Sequence, residues 1–197
     1  MDVRVAEASI MAPALQARYP EIRTYLADGP GAVHGRLSQT PLGFRAMLFT
    51  PNGTVYVDPY LQGDTRHYVV YYSRDLVVDP ALRGRTTDEV LGEHAAPSRR
   101  DGEQGRAHGE TLRTYRLAVA ATGEYTAFHG GTVAGGLAAV VTSFNRVTGI
   151  YERDLSVSFQ LVANNDQLIY TNASTDPYSN TSSDLTANQT NINLVIG

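Results

Sequence analysis

The clearest pattern in the chain is an apolar stripe. Val133, Leu137, Val140, Val141, Phe144, Val147 and Tyr151 recur at steps of four, three, one, three, three and four, the spacing that gathers side chains on one face of an α-helix. Thr132 stands directly before the stripe, where a hydroxyl can cap the first free amides. On either side the period changes to two. Tyr115, Leu117, Val119 and Ala121 alternate with Thr114, Arg116, Ala118 and Ala120, which predicts a buried or half-buried strand. Leu155, Val157, Phe159 and Leu161 alternate with Ser156, Ser158 and Gln160, a second strand with one face more polar. Strand, helix and strand at this spacing predict a βαβ unit with a right-handed crossover. Asn164 to Asp184 is then a polar run broken by Leu168-Ile169-Tyr170, read as a loop holding a short strand. Leu185, Ile192, Val195 and Ile196 resume a helical pattern, with Asp184 as its candidate N-cap.

The first half of the chain follows other rules. Leu15, Tyr19, Ile22 and Leu26 are spaced for one helix face, but Pro20 lies in the middle. One kinked helix or two short turns meeting at Pro20 both satisfy that pattern. Phe44 to Phe49 reads as a strand, Pro51-Asn52-Gly53 as a turn and Thr54 to Val57 as the returning strand. Gly63-Asp64 marks another turn before a third strand, His67 to Ser73, dense in Tyr and Val. The three strands predict an antiparallel meander. Between the halves, residues 83–111 carry Gly and charge with almost no large apolar side chain. Such a stretch has too little apolar surface to order itself and reads as an exposed linker. Its Arg99-Arg100 pair is a candidate cleavage point.

Composition narrows the function classes. Of 197 residues, 42% are hydrophobic and 18% charged, enough apolar surface for a packed core. The net charge of −4 and the lack of a Lys/Arg cluster interleaved with aromatics argue against a nucleic-acid partner. The absence of cysteine excludes disulfides, thiolate metal sites and a cysteine nucleophile. No apolar run approaches the roughly 20 residues of a bilayer span, so no membrane association is expected. Met1 to Met11 lacks a basic region followed by an apolar one and is not read as a signal peptide.

Candidate chemistry is sparse. His34, His67, His94, His108 and His129 include no pair at i, i+4 and no H-E-x-x-H or H-x-H. A zinc site needs three or four convergent ligands, so each histidine is read as exposed or structural. Gly130 to Gly136 resembles a phosphate loop between a strand and a helix, yet it fits neither G-x-x-x-x-G-K-[ST] nor G-x-G-x-x-G. A tight strand-to-helix turn is the expected role, with Gly135 and Gly136 letting the helix approach the sheet. Glu124 could coordinate calcium, but it reads more simply as a solvated turn carboxylate, as do Asp154 and Asp176. No G-x-S-x-G elbow is present. The Asn-x-Ser/Thr sequons at Asn52, Asn172, Asn180 and Asn188 follow from the abundance of Asn and Thr. No catalytic, cofactor-binding or metal-binding residue is assigned.

Several stretches carry a resemblance. Arg113 to Tyr125, Phe128 to Thr132, Asn145-Arg146-Val147 and Ile150 to Asp154 closely resemble the opening of bacterial reprolysin-like metzincin zinc peptidases, and Leu161 to Asn165 and Ile169-Tyr170 continue it. Ile10 to Pro13, Tyr19 to Ile22, Pro41 to Phe44 and Thr50 to Tyr56 resemble the propeptide of that family. The resemblance implies a secreted zinc endopeptidase acting on protein or peptide substrates. Its metal is held by three histidines of H-E-x-x-H-x-x-G-x-x-H, and the Glu acts as general base on the zinc-bound water. None of those positions occurs in this sequence. Nor can a propeptide cysteine block the zinc here, which leaves steric occlusion or assisted folding as the propeptide's task.

The expectation is an α+β chain. Residues 1–82 form a β-rich propeptide domain, 83–111 a linker, and 112–197 an incomplete metzincin-like sheet flanked by two helices. Zinc belongs to the longer parent, calcium is a further candidate metal, and no oligomer is expected. The chain is read as a fragment, inactive alone, with apolar surface bare where the zinc helix would pack. A non-enzymatic module capping a separate peptidase is the alternative; a β-rich adhesive or glycan-binding protein is a weaker one.

Overall fold

Short strands joined by tight turns force neighbours in the chain together, and much of the N-terminal half follows that rule. The computed structural model describes residues 2–77 and 111–197. Six strands, β1 (Arg4–Glu7), β2 (Arg23–Gly29), β3 (Val33–Thr40), β4 (Gly43–Thr50), β5 (Gly53–Pro59) and β6 (Tyr68–Tyr72), form one antiparallel sheet in sequence order. The meander read from sequence is therefore its second half. Gly53 takes φ 113 at the start of β5, as the Asn-Gly turn requires. Strands β1 to β3 escaped the pattern reading. In β3 the buried positions include Arg36, Ser38 and Thr40 beside Val33 and Leu37, so no apolar alternation marks it.

The candidate helix around Pro20 resolves into one short piece. Helix α1 covers Pro13–Arg18 with proline in its first turn, and the chain leaves it before Pro20. Leu26 is not a helix residue; it lies in β2 opposite Arg36. Leu15 and Ile22 are both buried, but Leu15 lies in α1 and Ile22 in the link just before β2, so no single helix face carries them.

In the second half, β7 (Arg113–Leu117) pairs in parallel with β8 (Val157–Leu161), joined through helix α2 (Gly123–Phe128) and helix α3 (Val133–Leu155). The βαβ unit is thus present, with three corrections. The first strand ends at Leu117 and leaves Tyr115 51% exposed. Beyond it, the side-chain amide of Asn165 takes the place of a neighbouring strand: Val119 N donates to Asn165 Oδ1 at 2.8 Å, and Asn165 Nδ2 donates to Val119 O at 3.1 Å. Pairing then resumes as a single bridge between Ala121 and Ile169. Second, the glycine run follows a helix rather than a strand: Thr122 caps the unforeseen α2 by accepting from Tyr125 N, Gly130 to Thr132 links α2 to α3, and Val133 to Gly136 is already the first turn of α3. Third, Leu155 is the last residue of α3, and Ser156 turns the chain with φ 54.

Helix α3 begins as expected, with Thr132 accepting from Gly135 N at 3.0 Å. Leu137, Val140 and Val141 are buried, but Tyr151 is exposed and Val147 only half-buried. The buried stripe instead continues through Asn145, Thr148 and Gly149, because the second half of α3 lies on β3 and β4. A Cβ on Gly149 would stand 3.0 Å from Met47 Cε and 3.2 Å from Arg36 Cγ. Over its 23 residues α3 is by length and composition apolar enough to cross a bilayer, a property the run-length reading missed, and most of that apolar window is buried inside the protein. The last helix, α4 (Asp184–Val195), buries only Asn191 and leaves Leu185 and Leu194 exposed. Asp184 is its first residue rather than its cap; its carboxylate accepts from Ser179 N and Thr181 N.

The main core joins both halves. Ile10, Met11, Leu15 and Ile22 pack with Leu137, Val141, Leu161 and Ile169 in one buried cluster. A smaller cluster around Ala27, Leu37 and Ala46 lies on the opposite sheet face.

Candidate functional site

The richest polar chemistry among the described residues lies where the six-stranded sheet meets α3. Pairing with Met47 on β4 sets Arg36 in the centre of the sheet, where the strand alternation turns it toward the helix. Helical spacing stacks Asn145, Thr148 and Glu152 on the facing side of α3. The Arg36 guanidinium is 5% exposed. Its Nε and Nη2 donate to the two carboxylate oxygens of Glu152 at 3.0 and 2.5 Å. Its Nη1 donates to Asn145 Oδ1 at 3.2 Å, while Asn145 Nδ2 donates to the Leu37 carbonyl at 2.9 Å. Ser158 on β8 donates to Glu152 as well, at 2.7 Å. Each of the three guanidinium nitrogens thus has an acceptor, the condition under which a buried ion pair is tolerated.

Two further knots flank this one. Arg146 donates to Asp58 at 2.7 Å and to the carbonyls of Ala46 and Val57. Asp58 also meets Arg45, and Tyr71 donates to it at 2.8 Å. Burial, then the neighbouring Asp58 carboxylate, pushes the Tyr71 phenol up to about 12. At the other end, Arg18 of α1 grips Asp166 and donates to the Ala163 carbonyl at 2.6 Å. These residues escaped the sequence reading. The available signal was the interruption of the α3 stripe by Asn145, Thr148 and Glu152, polar residues at positions whose spacing demands burial.

The histidines do not converge. His34 lies on β3 with its ring tilted against that of Phe49. His67 precedes β6 and bonds Asp64 at 2.9 Å. Backbone amides of Arg66 and His67, more than the imidazole, hold the Asp64 carboxyl below its ordinary value. His129 follows α2 between Tyr125 and Phe128; burial, then Arg45, depresses its pKa. His94 and His108 lie outside the described residues, as do Arg99-Arg100 and all of the expected linker but residue 111. Among the described residues no group of three His, Asp or Glu side chains could hold a metal. The donors among the described residues do not fit a zinc site.

The carboxylates singled out earlier take structural places. Glu124 sits in the first turn of α2 and accepts from Asn180 at 3.0 Å. Asp154 pairs with Arg153. Asp176 is not a solvated turn residue: half-buried, it accepts from Gly123 N at 2.7 Å and Tyr178 N at 2.9 Å. Two concavities accompany the sheet. One, about 200 Å³, opens beside Arg36, His34 and Arg153. The other, about 450 Å³, is an apolar hollow on the far face around Tyr25, Leu37 and Phe44. Neither gathers an acid, a base and a nucleophile.

The arrangement is a polar contact between the N-terminal sheet and α3. Residues 111–196 match the family model of the M12B reprolysin-like metallo-peptidases. The match begins just before β7 and takes in the whole βαβ unit and α4. No characterised protein and no solved structure matches the chain significantly. Helix α3 of the reprolysin-like region thus supplies Asn145, Arg146 and Glu152, and the preceding β-sheet supplies Arg36 and Asp58.

Proposed function

We propose that residues 112–197 are the opening part of the catalytic domain of a secreted zinc metalloendopeptidase, that residues 1–82 are its propeptide and that 83–111 connect them. The observation that carries this reading is the coincidence of the M12B match, residues 111–196, with the βαβ unit that the N-terminal sheet covers. A propeptide that packs its own core residues into that of the peptidase region can assist folding or occlude a cleft without any cysteine. The reaction is hydrolysis of peptide bonds in proteins; a bound zinc would supply an activated water, and the H-E-x-x-H residues that would hold it do not occur among these 197.

Two measurements test the reading. The encoding gene is expected to contain H-E-x-x-H within about 100 residues downstream of Gly197; a genuine stop with no such motif refutes the peptidase and favours a separate capping module. The purified chain is expected to bind no stoichiometric zinc and to leave casein intact. Zinc-dependent proteolysis by it, abolished by chelation and restored by metal, would contradict the assignment of its inactivity.

A further inference from the structure

We infer that the edge of β8 and the apolar face of α3 form a docking surface for residues 2–77, and that this piece stays bound there after the chain between the halves is cut. The inference deepens the propeptide reading and rests on it. Three residues that precede α1 act as an added parallel strand. Leu161 N donates to Ile10 O at 2.7 Å, and Ala12 N donates to Leu161 O at 2.9 Å, so Met11 lies opposite Leu161. Backbone pairing of this kind gives affinity, and side-chain pockets give selectivity. Ile10 and Met11 are each 2% exposed, and Leu15 and Ile22 are fully buried. The peptide that fits is two large apolar residues in extended form, a small residue, then a helix opening on proline.

Charge fixes the register. The first half contributes Arg18, Arg36 and Asp58, and the second answers with Asp166, Glu152 and Arg146. The sign inverts at the third pair, so a displaced N-terminal piece would meet like charge or leave an ion buried without a partner. Removing residues 2–77 would also strip Leu161 of both backbone partners and uncover Asn145 and Glu152. An exposed, unpaired strand edge is a strong drive to rebind.

The test inserts a specific protease recognition sequence between residues 90 and 91 of the full chain. After complete cleavage, size-exclusion chromatography with light scattering is expected to show one species with the mass of the intact chain. Ala12 already has φ −58, the value proline imposes. Ala12→Pro therefore removes the donor to Leu161 without twisting the backbone, and should speed loss of the N-terminal piece roughly tenfold. Ala12→Gly keeps the donor and should restore slow release. If Ala12→Pro does not fold, amide exchange of Leu161 in the parent decides: protection kept after cleavage supports the docking, and protection lost overturns it. Separation of the two pieces on the column, or release unchanged by Ala12→Pro, also overturns it. Those failures leave the peptidase assignment standing, because the downstream gene sequence and the casein assay decide that separately.

Discussion

Glu152→Gln is the sharpest probe of the interface, because it removes a charge while keeping the shape. In the parent, the Arg36 guanidinium is 5% exposed and the Glu152 side chain 19%, with two donors of one fork on two oxygens of the other. Breaking such a pair strands a buried cation, which typically costs 3–5 kcal/mol. Asn145 still accepts from Arg36 in the variant, and the residual exposure of residue 152 admits some water. The expected loss is therefore about 3 kcal/mol, at the low end of that range. For a chain of this size it corresponds to a fall in Tm of roughly 6–12 °C. Urea denaturation of parent and variant, followed by circular dichroism, should show a lower midpoint with an unchanged slope. Arg36→Met combined with Glu152→Leu should cost less than either single change, since no unpaired ion remains. A loss under about 1 kcal/mol for Glu152→Gln, the range of surface pairs, would refute the reasoning and show that water already solvates the pair.

Other consequences follow from close packing and titration. A Cβ on Gly35 would lie 2.1 Å from the Met47 carbonyl oxygen, so Gly35→Ala should destabilise by about 3 kcal/mol, as overpacking at a backbone atom does; a neutral result by thermal melting would exclude the close β3–β4 approach. Leu15→Ala removes a fully buried side chain and should cost about 2–5 kcal/mol, lowering the urea midpoint. Burial, then Arg45, lowers the His129 pKa, so NMR titration should place it below the ordinary value of about 6.5. The folded state then binds fewer protons than the unfolded one, and the contribution of His129 is present above the unfolded pKa and fades as pH falls through the folded value. His129→Gln should remove that slope. Backbone and side-chain donors of Ser179, with the amides of Asn180 and Thr181, hold Asp184 below its ordinary value. Its titration midpoint should rise when Ser179 is changed to Ala.

How far the fold was legible depended on whether burial coincided with apolarity. The meander from β4 to β6, the βαβ unit and the Thr132 cap were all readable, because period and turn chemistry there agree with the final packing. Strand β3 was not, since four of its buried positions, Gly35, Arg36, Ser38 and Thr40, are not apolar. Helix α2 was missed because six residues carry too little periodicity to stand out. Asp176 was misassigned for a related reason: a carboxylate that caps the start of a distant helix has the same local sequence as one in solvent.

The local order of residues by itself determined which segments turn, which alternate and where α3 begins, because those choices are made by the backbone and by neighbours within a few positions. It also determined that the zinc motif of the resembled family is absent, a matter of residue identity alone. Only the tertiary structure decided that Ile10 to Ala12 lies along β8, that Arg36 meets Glu152 and that one core serves both halves. Those partners stand more than a hundred positions apart in the chain. Their pairing is specified by complementary shape and charge across a surface, and neither is expressed in the spacing of any one segment.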